Sequence, residues 1–330
     1  MFLITSYPLA VGVCFLTMLC WGSWANTQKL ITQSVPTTIF YRDYTYGILA
    51  LSVLLALTLG SFGERGRSFL TDLKQADTQN VLYALIGGFV FNIANILIVV
   101  GIELAGLSVA MPVGIGLALV LGVVVNYILA PVGAVVVLAG GVFAIFLAIV
   151  FSALAHRVKG SADQSVSTRG LVVSLVGGFL MSFFFYFVAK AMATDFANPR
   201  PGLLTPYTAL VLFGLGVVVS TPLFLPILRR FTGKPADREI TYRDVSGRSH
   251  QVGLLGGMIW CLGMASSLLA SGAAGYAISY GLGQGATIIA VLWGVFIWQE
   301  FRNAPPKAIR YLVWMGICYV LGLVLIILAK

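Results

Sequence analysis

Apolar residues run through this chain in long blocks. Charge, proline and glycine cut them apart at roughly 8–30, 40–61, 80–102, 107–129, 133–155, 170–192, 205–228, 253–271, 274–298 and 308–329. Each block is close to the about 20 residues that carry a helix across a bilayer. No alternation of period two competes, and lipid accepts only helices or closed barrels. The pattern predicts an all-α integral membrane protein with ten transmembrane helices.

The second half repeats the glycines of the first. Gly87-Gly88 and Gly256-Gly257 open corresponding blocks, 169 residues apart. The same offset pairs Gly106 with Gly275, Gly114 with Gly283 and Gly116 with Gly285. Blocks three and four therefore match blocks eight and nine. This predicts two five-helix repeats, residues 1–155 and 156–330, in one integrated membrane domain. An odd number of spans per repeat inverts the second copy. Inverted repeats are an architecture of secondary transporters, with the substrate near the midplane between the halves.

Composition sharpens this picture. Hydrophobic residues make up 59% of the 330 and charged residues only 9%. A soluble domain of ordinary make-up is roughly 25% charged, so a soluble enzyme and a nucleic-acid-binding domain are excluded. The net charge of +9 comes from 20 basic against 11 acidic residues. With ten spans, only Arg65, Arg67, Lys74, Lys190, Arg200 and Lys330 share the side of the termini; the remaining fourteen lie opposite. The positive-inside rule then places both termini outside the cytoplasm, in a multi-pass protein expected in the inner membrane. The polar linker 229–252 is read as a topology anchor, with contact to anionic headgroups as the sharper alternative.

Polar residues inside apolar spans are costly and therefore informative. Trp21 and Trp24 share a face of span one with Thr17 and Gln28. Asn92 and Asn95 stand three apart in the middle of span three, where a carboxamide offers both a donor and an acceptor. Trp260 lies in span eight with Met264 and Ser267, and Tyr280 and Gln284 follow Tyr276 on one face of span nine. Trp21, Trp24, Asn92, Asn95, Trp260, Tyr280 and Gln284 are the candidate substrate-binding residues. For the asparagines the bland alternative is interhelical hydrogen bonding as packing, and for one of Trp21 and Trp24 it is an interfacial belt position. Glu103, the only charged residue between Asp77 and His156, and Lys190 beside Tyr186 are the ion-coupling candidates. Both also suit an ordinary end-of-span position. No acid is expected in the middle of a span. Pro112 and the glycine pairs of spans four and nine suggest a kink or local unwinding.

The four cysteines lie in apolar blocks without a CxxC pair, and no HExxH, GxSxG or Walker A sequence occurs. No metal, cofactor or catalytic set is expected, and no nucleic acid. The expected partners are a small solute, a proton and the bilayer.

The stretch IGGFVFNIANILIVVGIELAGLSVAMPVGIGLALVLGVVVNYI at 86–128 resembles the ureide permeases of the drug/metabolite transporter superfamily. The shared features are the GG, Asn95, the GLSV at 106–109 and the late Gly122 and Asn126-Tyr127. CWGSW at 20–24 resembles the family's G-[ST]-W. The resemblance implies ten helices in inverted repeats and proton-coupled uptake of ureides or nucleobases such as allantoin and uracil; a nucleoside is a further expected solute. Plant members carry a long central loop, whereas 156–169 is short here. They also carry an acid early in span four, where this chain reads Ala-Met-Pro at 110–112. Neighbouring families in the superfamily carry sugars, so a pentose or hexose importer is the second reading. Metabolite or drug export, an intramembrane enzyme and a non-transporting scaffold rank lower.

The charge asymmetry makes a direct prediction. A reporter enzyme that is active only outside the cytoplasm, fused after Lys330, should be active. The same reporter placed in the 229–252 linker should be silent.

Overall fold

The computed structural model describes residues 1–31, 35–105, 107–159, 167–233 and 240–330, with the side chains of 107–109, 111 and 112 outside that description. Every expected apolar block falls on helix. α1 spans Tyr7–Ser23 and runs into a 3-10 turn, Trp24–Leu30; α2 is Thr37–Leu57 and α3 the short Phe69–Gln75. α4 is Thr78–Ala105, α5 Leu107–Leu129 and α6 Val135–Lys159. α7 is Thr168–Ala191, α8 Pro206–Thr232 and α9 Gly247–Ala274. α10, Tyr276–Gly283, and α11, Ala286–Leu292, follow as two pieces, then a π-helical turn Trp293–Ile297 and α12, Pro306–Leu328. Among the described residues there is no strand, only isolated bridges at Ala76–Gly202 and Met192–Leu204.

Local chemistry sets the ends. Pro8, Pro206 and Pro306 stand in the first turns of α1, α8 and α12, where a missing N–H costs nothing. Ser167 and Ser246 accept hydrogen bonds from the first-turn amides of Gly170 and Ser249, the usual N-cap satisfaction of an orphan donor. Among the described residues, eight helical segments are long and apolar enough to cross a membrane. One of these is the broken Tyr276–Ile297. α5 contributes a shorter apolar stretch, Val113–Leu129. α2 is less apolar because Arg42 and Asp43 occupy its second turn. This is a multi-pass membrane protein, and its outer face fits that setting: Phe143, Val219, Leu223 and Leu328 are among many large apolar side chains left exposed.

The helices meet at glycines. Tails of lipid are as apolar as leucine, so helix association in membranes relies on close packing at small residues. A Cβ on Gly257 of α9 would collide with the Tyr44 carbonyl of α2, and one on Gly88 of α4 with the Phe213 carbonyl of α8. Tyr44 and Phe213 are themselves 169 residues apart. Gly47 meets Leu254 and Gly216 meets Leu85 in the same way, again at that offset. α6 and α12 pack reciprocally: Gly141 lies against Gly322 and Ile326, and Gly322 against Gly141 and Ile145.

α10 and α11 are separated by Gln284 and Gly285. Gly275, with φ +87°, turns the chain between α9 and α10; that left-handed region strains any residue with a Cβ. The end of the molecule bearing α3 is fastened by buried Asp72, which binds Arg67 Nε at 2.8 Å and accepts the Thr205 amide at 2.7 Å.

Filling the α4–α8 seam should be costly. Gly88→Val should lower the thermal midpoint of the purified protein, by an overpacking penalty of about 1–3 kcal/mol. Gly12→Ala, at a position with nothing within 4 Å of the new methyl, should leave it unchanged.

Candidate functional site

The centre of the bundle is an aromatic stack. Trp21 from α1 lies parallel to Trp260 from α9, with centroids 5.7 Å apart and planes 15° apart. Its indole N–H donates to the Trp260 carbonyl at 3.2 Å. On other sides Trp260 meets Phe213 of α8 at 5.7 Å and Phe91 of α4 at 4.4 Å. Flat faces at this spacing are favourable partners for one another and for an inserted planar ring.

Beside the stack runs a polar relay built from α2 and α4. The Tyr41 hydroxyl donates to Asn92 Oδ1 at 2.8 Å, and Asn95 Nδ2 donates to the Tyr41 hydroxyl at 3.2 Å. Asn92 is fully buried, and its Nδ2 donates to α8 at Val217 O, Ser220 Oγ and Thr221 Oγ1, at 3.1, 2.9 and 3.1 Å. All of its capacity is taken up in joining α2, α4 and α8. Asn95 is half-buried and no protein donor reaches its Oδ1 among the described residues. Three residues along α2 from Tyr41, the buried Tyr44 hydroxyl has no partner among the described residues. Trp24 packs on that Tyr44 ring at 4.5 Å.

Tyr280 is fully buried beside Phe184 and Phe185, and its hydroxyl donates to the Ala118 carbonyl at 3.1 Å. Gln284 caps α10, half-buried, with no hydrogen bond to its carboxamide among the described residues. The preceding Gly283 touches the Trp21 ring, where a Cβ would come within 3.0 Å. Trp21 and Trp260 are in direct contact, Asn92 and Asn95 meet at Tyr41, and Trp24 is linked to Tyr41 through Tyr44. Gln284 follows Gly283, which touches the Trp21 ring. Tyr280 reaches Trp260 at one remove, through Phe184 and then Phe91 or Phe213.

The ion-coupling candidates lie elsewhere. Glu103 is exposed near the end of α4. Lys190 is exposed near the end of α7, with its ammonium 4.6 Å over the Tyr83 ring and 5.8 Å from Tyr186.

No acid stands in the middle of a described span, but one near a span's start is buried. Asp43 lies inside α2 and is 2% exposed. It is held by Tyr242 and by His250, which the sequence had placed in a linker and which belongs to the first turn of α9. A Tyr-Arg-Asp run at a span start reads as an interfacial end, and partners some 200 residues away leave no local trace. The three-residue spacing of Tyr41 and Tyr44 on α2 is the one sequence signal for their part in the relay.

Two recesses open at the end of the molecule that bears the 229–252 linker. One, of about 490 Å³, includes Thr38, Arg42, Arg229 and Tyr242 in its wall. The other, of about 320 Å³, includes Asn26, Lys29, His156, Trp298 and Glu300. Glu300 bridges Lys29 at 3.1 Å and Lys159 at 3.8 Å there.

The sequence model of the ureide permease family matches residues 40–169 and 158–329. Ureide permease 1 of Arabidopsis thaliana is 24% identical over 386 aligned positions, covering 98% of this chain and 97% of that protein. Ureide permease 2 of the same plant is 22% identical, covering 96% and 95%. The alignments are longer than this chain, so the plant proteins carry additional residues. A solved crystal structure of a protein superposes with a TM-score of 0.62 over 97% of this chain and 98% of that one, at 13% identity. It shares the fold.

The relay predicts a ranking of stability. Tyr41→Phe strands the buried Asn92 oxygen and should cost about 1–3 kcal/mol. Asn95→Ala, which releases a half-buried group, should cost less. Thermal unfolding of the two variants side by side checks the order.

Proposed function

The chain belongs to the ureide permease family, and on that premise we propose that it is a proton-coupled importer of a ureide, nucleobase or nucleoside. Its family makes it a transporter of small polar nitrogen compounds rather than an enzyme. Ten spans in two inverted halves, 1–155 and 156–330, are part of the same proposal. Its support is the recurrence of backbone contacts at one offset: Gly88 on Phe213 and Gly257 on Tyr44, Gly216 on Leu85 and Gly47 on Leu254. Placement in an inner membrane with both termini outside the cytoplasm rests on the distribution of basic residues.

The observation that carries the substrate reading is the pairing of flat aromatic faces with uncommitted carboxamide atoms. A ureide or nucleobase presents a flat unit edged by alternating C=O and N–H groups. Trp21, Trp24 and Trp260 offer faces to stack it, and Asn95 and Gln284 offer donors and acceptors for its edge. Asn92 positions the relay, and Tyr280 closes the far wall. With Trp21 and Trp260 stacked on each other, the site is filled by its own side chains, so the solute enters by separating them. Alternating access of this kind moves one half against the other around a fixed site.

Uptake into proteoliposomes tests the reading, with labelled allantoin, uracil and ribose as probes. Allantoin or uracil should accumulate and ribose should not. Asn95→Ala and Gln284→Ala should each reduce uptake on the order of tenfold, the effect of losing about 1.4 kcal/mol of binding. Unchanged uptake in both variants would remove these residues from the site.

A further inference from the structure

Asp43 sits at the end of the α2–α9 seam that is nearest the 229–252 linker. Gly253 makes room for it: a Cβ there would come within 2.6 Å of the Asp43 Cβ. Both carboxylate oxygens are engaged. Oδ1 accepts the Tyr242 hydroxyl at 2.5 Å, and Oδ2 lies 2.7 Å from His250 Nδ1. The other ring nitrogen, Nε2, lies 3.1 Å from the backbone carbonyl of Tyr242.

Both nitrogens of His250 therefore face acceptors. A neutral imidazole has one N–H and an imidazolium has two. With Asp43 ionised, only the imidazolium satisfies both contacts.

The neighbours are consistent with a poised pair. From α2, Arg42 places its guanidinium 5.3 Å from the Tyr242 ring, and Tyr46 lies on the Tyr242 side. From α8, Arg229 lines the same recess as Arg42 and Tyr242. In the turn before α9, Arg243 is exposed and Asp244 is occupied by the Thr241 amide and hydroxyl at 2.7 and 2.6 Å. On α9, Arg248 is exposed. Thr27 and Trp24 of the 3-10 turn reach α9 at Gly256, and neither titrates. Burial, with Asp43 beside it, pushes the Tyr242 hydroxyl up to about 12. It thus remains a donor to Asp43 across the physiological range.

The matching seam lacks this chemistry. The residues 169 positions from His250 and Asp43 are Val81 and Leu212, and Ala84 stands where Gly253 does. Two seams with the same backbone contacts thus differ in one ionisable pair.

We propose that Asp43 and His250 bind the proton whose movement is coupled to transport, and that their shared proton locks α2 to α9 at the linker end. The proposal rests on the transporter reading and identifies where its proton sits. Loss of the second proton to water leaves a neutral ring whose Nε2 lone pair faces the Tyr242 carbonyl. The bond from Nδ1 to the Asp43 carboxylate then loses its charge assistance, and the seam is held less tightly at that end. Tyr41, two residues before Asp43, carries the change to Asn92 and Asn95. Glu103 and Lys190 lie exposed near the ends of α4 and α7, on neither helix of this seam.

The chain has only two histidines, which permits a direct readout. Full-length protein in nanodiscs, with ¹⁵N-labelled histidine, should show one ring protonated on both nitrogens at neutral pH. That signal should vanish in His250→Gln, and in Asp43→Asn the ring should keep a single proton. A His250 ring with one protonated nitrogen in the wild type, or one indifferent to Asp43→Asn, would overturn the proposal. In proteoliposomes with allantoin, Asp43→Asn and His250→Gln should lose gradient-driven accumulation by on the order of tenfold while retaining solute counterflow. Full gradient-driven accumulation in both variants, or loss of counterflow along with it, would also overturn it. If the wild type carries neither allantoin nor uracil, the substrate reading fails, and the nitrogen signals alone decide the proton site.

Discussion

The architecture depends on backbone meeting backbone where glycine allows it. In a bilayer, burying apolar side chains between helices gains little over leaving them in lipid, so cohesion must come from van der Waals contact and internal hydrogen bonds. Gly257 against the Tyr44 carbonyl and Gly88 against the Phe213 carbonyl supply the closest of these contacts. They also fix the rotation of each helix. With α2 and α9 seated this way, Tyr41 turns toward α4 and Trp260 toward α1. The polar relay then adds the hydrogen bonds, with Asn92 tying α4 to both α2 and α8.

The stack and the relay divide the work by burial. Asn92 is committed on every polar atom, so it stabilises the bundle and leaves nothing for a solute. Asn95 and Gln284 are half-buried and retain unused atoms. The Tyr44 hydroxyl is buried with no partner among the described residues, which is expensive unless something else meets it. Polar capacity left idle beside aromatic faces is what a site for a flat, hydrogen-bonding solute requires.

Much of the fold was legible in the sequence because lipid leaves few choices. Apolar blocks of the required length had to be helices, and the break between α10 and α11 lies beside Gly283 and Gly285, glycines that suggest local unwinding. The matching pair Gly114 and Gly116 does not break its helix, since α5 runs on through both. Asn92 and Asn95 stood out as polar groups in apolar surroundings. Their different roles were not legible, because these depend on Tyr41, Ser220 and Thr221, contributed by other helices. Asp43 was the larger omission. One turn inside α2 it resembles an ordinary interfacial charge, and only the packing of Gly253 and the fold of Tyr242 over it reveal its burial. Glu103 showed the reverse, being conspicuous in sequence and exposed in the structure.

The two glycine seams differ in one further respect. Had their side chains matched as their backbones do, opening either end would cost the same free energy, and the two arrangements would be degenerate. An ion pair on one seam and two aliphatic residues on the other remove that degeneracy. In the proposed alternating cycle the apolar seam would be nearly indifferent to the water beside it, whereas the Asp43–His250 seam would not. The proposed cycle would then be biased from one compartment alone.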